Sequence, residues 1–219
     1  TPVFLFRYFY FFVYTMLNLR EIERERERER EIGGYIELDQ YHLSMWHENA
    51  ISLNCGRNCL AYLIRAKGIQ KIILPWFLCS SVRDTCVNEG TDIRYYHIDE
   101  NLRPSALSPG DDEWVYIVNY YGQLSRHEIE EYKELYGKII IDNTQAYFDM
   151  PVHGVDTLYT CRKFFGVPDG AFLYTNSRLD EELEQDESYK RMEFILGRYE
   201  QPAFKFYDLY AKNNELFAT

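Results

Sequence analysis

Three short runs rich in β-branched residues set the terms for this chain: Lys71-Ile72-Ile73-Leu74, Trp114-Val115-Tyr116-Ile117-Val118-Asn119 and Lys138-Ile139-Ile140-Ile141. Each is continuously apolar rather than alternating, which marks a strand buried on both faces. Helical patterns separate them. Residues 58–67 place Leu60, Ala61, Leu63 and Ile64 at a period near 3.6 residues and stop at Gly68. Residues 80–89 predict a second helix, closed by Gly90. Ser125 followed by Glu128 forms a capping box that opens a third, ended by Gly137. Residues 93–98, 158–161 and 171–174 read as further strands, and 103–112 as a loop punctuated by Pro104, Pro109 and Gly110. Strands alternating with helices in this way build βαβ units and a mostly parallel sheet, so the expected class is α/β. Residues 178–199 predict a long, highly charged helix, and a second helical stretch is expected from residue 203 onward.

Residues 1–31 stand apart. Their six Arg and six Glu cancel, so the net charge of -11 belongs to residues 32–219. Residues 1–19 are apolar and aromatic, broken by Arg7, and come close to the roughly 20 residues of a membrane span. No basic region precedes them and no small-residue cleavage site follows, unlike a signal peptide. From Glu23 to Glu31, Glu and Arg alternate strictly. On a helix, pairs three apart attract while pairs four apart repel, and no apolar face exists to bury. A GA dinucleotide repeat in the coding DNA spells the same pattern. The segment reads as an upstream extension, with Met16 a candidate start, or else as an anchor or tail, and it is set aside from the fold.

With 24 basic against 35 acidic residues, the chain lacks the basic face that nucleic acid requires. Five cysteines occur without a CxxC pair, the closest being Cys55 and Cys59. That argues against a structural zinc site and suits a reducing, cytoplasmic setting. The five histidines show no metal-binding spacing and read as surface or core residues.

Open parallel sheets bind ligands at the carboxyl ends of their strands, and the candidate functional residues lie there. Asn54-Cys55-Gly56-Arg57-Asn58 precedes a helix. A glycine lets backbone N–H groups approach an anion, and the helix dipole favours phosphate; an ordinary N-cap turn is the alternative. Asp142 stands just past a buried strand, followed by Asn143-Thr144-Gln145-Ala146. A carboxylate partly buried there needs a cation or hydrogen-bond donors, unless it caps the next turn. Arg162-Lys163 falls between two apolar strands. A lysine in a low-dielectric pocket beside another cation becomes a nucleophilic amine; a solvated basic turn is the plainer possibility. Asn119-Tyr120-Tyr121-Gly122-Gln123 links a strand to the capped helix.

Taken in order, these pieces resemble the DegT/DnrJ/EryC1/StrS sugar aminotransferases, fold-type I enzymes that use pyridoxal 5'-phosphate. Cys55-Gly56-Arg57-Asn58 stands where the family has its helix-opening Ser-Gly-Thr turn. Leu74-Pro75-Trp76-Phe77-Leu78-Cys79 matches its Val-Pro strand end, and Tyr121-Gly122-Gln123 its Tyr-Gly-Gln loop. Asp142-Asn143-Thr144-Gln145-Ala146 and residues 160–170 match its Asp-Ala-Ala-Gln-Ala and lysine segments. The match covers residues 33–176. It implies a pyridoxal-phosphate-dependent large domain over residues 32–177, three-layered αβα, with residues 178–219 leading towards a small C-terminal domain that is missing. Lys163 would form the Schiff base with the cofactor aldehyde and shuttle the substrate proton. Asp142 would pair with the pyridinium nitrogen, holding the ring as an electron sink. Gln145 would lie beside the ring, and Gly56, Arg57, Asn58 and Thr160 near the phosphate. Cys79 takes the position of the ring-stacking aromatic, with Trp76 and Phe77 close by. The resemblance further implies a homodimer acting on small molecules, an amino donor and a keto-sugar acceptor, in polysaccharide or amino-sugar biosynthesis. A non-catalytic binding or regulatory protein on the same fold is the alternative. A sugar dehydratase is a third reading, against which the retained Lys163 weighs, because those relatives carry histidine there.

Overall fold

The computed structural model describes residues 45–217. The expectations placed on residues 1–31, the apolar stretch and Met16 included, lie outside the described residues. No helix among the described residues is long and apolar enough to cross a membrane.

The three apolar runs become central strands. In chain order the elements are β1 (Ile51–Leu53), α1 (Gly56–Lys67), β2 (Lys71–Pro75), α2 (Ser80–Asn88), β3 (Asp92–Ile98), β4 (Pro104–Ser105), β5 (Glu113–Val118), α3 (Arg126–Tyr136), β6 (Ile139–Asp142), β7 (Asp156–Thr160), β8 (Ala171–Tyr174), α4 (Glu193–Glu200) and α5 (Tyr207–Glu215). The strands form one sheet of order β1-β8-β7-β6-β5-β2-β3-β4. From β3 through β2, β5 and β6 to β7 the pairing is parallel. The outer strands β8, β1 and β4 are antiparallel.

Each central strand feeds both faces, as its unbroken apolar composition requires. Ile72, Leu74, Tyr116, Val118, Ile140 and Leu158 pack with Leu60, Leu63 and Ile64 of α1 on one face. Ile73, Val115, Ile117, Ile139 and Ile141 pack with Ile129 of α3 on the other. The result is the three-layer αβα arrangement expected, with a mostly parallel sheet. Local chemistry sets the ends of the helices. Gly68 closes α1 at φ 61°, its N–H returning to Ile64 and Arg65 carbonyls, a conformation that favours glycine. Ser125 and Glu128 make the reciprocal capping box at the start of α3. At the end of α1, the partly buried Lys67 pairs at 3.0 Å with the buried Asp156 that opens β7, so that carboxylate is not left without a cation.

Three expectations need correction. The charged helix over residues 178–199 does not form. Its span runs irregularly until a short 3₁₀ turn at Tyr189–Arg191 and then α4. Asp180, Glu181, Glu182, Glu184, Asp186 and Glu187 put like charges three and four residues apart, which disfavours helix. Tertiary ties take over instead: Leu179 N donates to Tyr62 Oη at 3.0 Å, and Asn54 Nδ2 to Asp186 at 2.8 Å. β1 was not anticipated, and the 103–112 loop contributes β4 at the sheet edge. Phe194 of α4 is buried.

Candidate active site

The carboxyl ends of β5, β6 and β7 converge with the start of α1. Asp142, the last residue of β6, is only 4% exposed. Two donors reach it: Tyr116 Oη donates to Oδ2 at 2.7 Å, and the Thr144 amide to Oδ1 at 2.8 Å. Thr144 then links outward, since Lys163 Nζ donates to its hydroxyl at 3.2 Å. A Cβ built on Gly56 would stand 3.7 Å from the Thr144 methyl, so the α1 start borders the same turn. Gly56, Asp142, Thr144 and Lys163 are thereby brought together from three loops.

The turn itself is braced from below. Asn119, wholly buried, donates to Asn143 at 3.1 Å and to Asp149 at 3.2 Å, and accepts from the Leu124 amide at 2.9 Å. Asn143 Nδ2 in turn donates to Tyr159 Oη at 3.1 Å. Gln145 Oε1 accepts from the Tyr121 amide at 3.2 Å, and Tyr121 adopts φ 56° to present it. The charge of Asp142 is felt around it: burial first, then Asp142, pushes Tyr116 and Tyr120 well above the ordinary phenol range.

A second group flanks the first. Arg162 Nη1 donates to Asn214 Oδ1 at 2.6 Å, while Arg57 Nη2 donates to the Asn214 backbone carbonyl at 3.0 Å. Both oxygens come from one residue of α5. Among the described residues neither guanidinium has a carboxylate within ion-pair distance, and the buried Nε of Arg162 has no partner. Burial pulls the Arg162 pKa below its usual value. The adjacent Arg191, by contrast, is paired with Asp169 and Asp186. Phe217 fills the space between, 5.2 Å from Arg162 and 5.4 Å from Arg191.

Not every expected residue joins. Asn58 turns to Asn54 at 2.7 Å. The Thr160 hydroxyl faces the Gly170 carbonyl at 3.5 Å. Cys79 precedes α2 and is exposed, its sulfur accepting from Ser81 Oγ at 3.1 Å. Trp76 is stacked on Tyr95 at 4.2 Å and Phe77 on Tyr120 at 5.5 Å, and both remain exposed. Lys163 is exposed, so the low-dielectric pocket expected for it is not formed by the described residues. Phe164 and Phe165, which could have walled it in, pack against Tyr147 instead, at 5.8 and 4.9 Å. Sequence reading missed Tyr116, whose place in an apolar strand signalled only core, and Asn214, which carries no local signal.

Neither a family model nor a curated protein matches the chain. Solved structures do. An aminotransferase from Psychrobacter cryohalolentis matches at 19% identity over 60% of this chain and 39% of its own, with a TM-score of 0.49. A DegT DnrJ EryC1 StrS aminotransferase from Brucella abortus matches at 16% over 58% and 41%, TM-score 0.45. NtdA from Bacillus subtilis, solved with bound cofactor PMP, matches at 15% over 59% and 33%, TM-score 0.49. The chain spans between a third and about two fifths of the length of these structures.

Proposed function

We infer that residues 32–177 form a pyridoxal-phosphate-binding large domain of the DegT/DnrJ/EryC1/StrS type, which works in an enzyme that transfers an amino group. The observation that carries this reading is the link Lys163–Thr144–Asp142, an amine and a buried carboxylate joined through one hydroxyl and one amide at strand ends. The residues fit the cofactor in three respects. Asp142 has used two of the roughly four acceptor positions of a carboxylate, one on each oxygen, so a second lone pair remains for a protonated ring nitrogen. Lys163 is an exposed amine tied to the same turn through the Thr144 hydroxyl. Arg57, Arg162 and the α1 start offer donors to a phosphate, the unpartnered Arg162 Nε among them.

When bound, pyridoxal 5'-phosphate supplies an aldehyde for amines and a ring that accepts electrons. The protein's part follows from its own groups. Asp142 holds a proton on the ring nitrogen, Gln145 lies at the rim of the same turn, and Lys163 carries protons to and from the reacting carbon. The finer reading is a homodimeric, cytoplasmic enzyme that takes a nucleotide-linked keto sugar as acceptor in polysaccharide or amino-sugar synthesis. It rests on the motif resemblance.

A second reading has its own support. Cys79 cannot stack on a ring, and Asn214 occupies both arginines, as in a non-catalytic module that retains the fold. One experiment separates the two. Pyridoxal 5'-phosphate is added to the chain, the visible band is followed, and borohydride reduction precedes peptide mass mapping. The label is expected on Lys163. No band at saturating cofactor favours the non-catalytic module, and label on Lys67, Lys133 or Lys138 with Lys163 unmodified overturns the assignment.

A further inference from the structure

Tyr116 is 1% exposed, in the middle of β5, and its ring belongs to the core beneath α1. A phenylalanine would fill that space equally well. The hydroxyl has to be accounted for separately, because a phenol buried this deeply needs a partner. Its partner is Asp142 Oδ2, at 2.7 Å. Strand register supports the pairing, since β5 and β6 run parallel with Tyr116 opposite Ile140, two residues before Asp142. Both side chains therefore emerge on the same face of the sheet. Hydrogen bonds between a neutral donor and a carboxylate are short and strong when shielded from water.

We propose that Tyr116 is a positioning residue of the cofactor site, whose hydroxyl fixes the rotation of the Asp142 carboxylate and keeps the shared proton of the carboxylate–pyridinium pair on the ring nitrogen. The proposal rests on the pyridoxal phosphate reading above. In the pair, the proton can sit on nitrogen beside a carboxylate, or on oxygen beside a neutral pyridine. A donor to Oδ2 stabilises the ionised carboxylate more than the neutral acid, so it favours the first arrangement. The Thr144 amide acts in the same sense on Oδ1. The phenol stays a donor throughout, because burial and the neighbouring negative charge both hold its proton. No atom of Tyr116 need touch the cofactor: it acts through Asp142 alone.

The test uses the full 219-residue chain and pyridoxal 5'-phosphate labelled with ¹⁵N in its ring. The wild-type complex should give a pyridinium-type ¹⁵N resonance. In Tyr116→Phe the resonance should move towards the neutral pyridine position, while the dissociation constant for the cofactor changes by less than about tenfold. Replacing Tyr116 by 3-fluorotyrosine, which keeps the volume and makes the hydroxyl a stronger donor, should move it the opposite way. That second variant decides the matter should Tyr116→Phe fail to fold. A resonance unmoved in a folded variant with cofactor bound overturns the proposal, even if thermal stability falls, since a purely structural hydroxyl would lower stability alone. Failure of the wild-type chain to take up the cofactor overturns the pyridoxal phosphate reading, and the proposal with it.

Discussion

At the scale of single residues, Asp142 is where folding and the proposed chemistry meet. Its carboxylate serves Tyr116 Oη and the Thr144 amide at once. Asparagine has one acceptor oxygen, so Asp142→Asn leaves one of those donors unmet, at a cost of about 1–3 kcal/mol. The variant should therefore stay folded with a measurably lower thermal midpoint, while turnover in the complete enzyme falls by orders of magnitude; calorimetry beside steady-state rates checks both. Normal turnover with cofactor bound would exclude the pairing of Asp142 with the ring. How far this site was legible in the sequence depended on reach. Gly56, Asp142 and Lys163 announced themselves by residue type at strand ends and helix starts, and the fold gathers them. Thr144 stood inside the quoted motif without a role, and the arrangement gives it one. Tyr116 and Asn214 were invisible for a physical reason: their partners are 26 residues away in one case, and 52 and 157 in the other.

Elements were legible where local chemistry and the global fold agree. Helix α3 is the clearest case, because its capping box needs no tertiary help to be recognised. Burial pushes the Glu128 carboxyl up, but hydrogen bonds from Ser125, then Arg103, override it and bring its pKa down to about 2. A group depressed in the folded state adds stability above its unfolded pKa, ordinarily about 4.3 for Glu. That contribution is lost as pH falls from there through about 2. Ser125→Ala should cost about 1 kcal/mol at neutral pH, and the difference from the wild type should shrink as the solution is acidified across that window; urea melts at several pH values measure it. A constant difference would mean that Glu128 is not coupled to the cap. The charged segment that failed to become a helix shows the converse. Its residues had no apolar period and repelled one another, so long-range ties to Asn54 and Tyr62 decided its path. β1 escaped notice because three residues are too few to show a period.

For the molecule as a whole, the sheet and its two helical layers leave an uncovered region at α4 and α5. Tyr199 is 92% exposed and Phe204 76%, with Leu196 and Tyr207 exposed nearby. Apolar surface of this kind marks interfaces or aggregation. The isolated chain should therefore self-associate at micromolar concentration, bind pyridoxal phosphate weakly and turn over little. Light scattering with a cofactor titration tests this, and a soluble monomer with tight binding and measurable transamination would refute it. Finally, the grip of Asn214 on Arg57 and Arg162 has a consequence for loading. A residue of the same chain competes at an effective concentration that no dilution lowers. On the proposed reading an incoming phosphate meets arginines that are already answered, and its apparent affinity is scaled down to the fraction of time that α5 is undocked. Asn214→Ala frees Arg162 but keeps the backbone carbonyl to which Arg57 donates, so it should tighten the binding of inorganic phosphate in a calorimetric titration only in part, the rest of the competition being written into the docking of the helix itself.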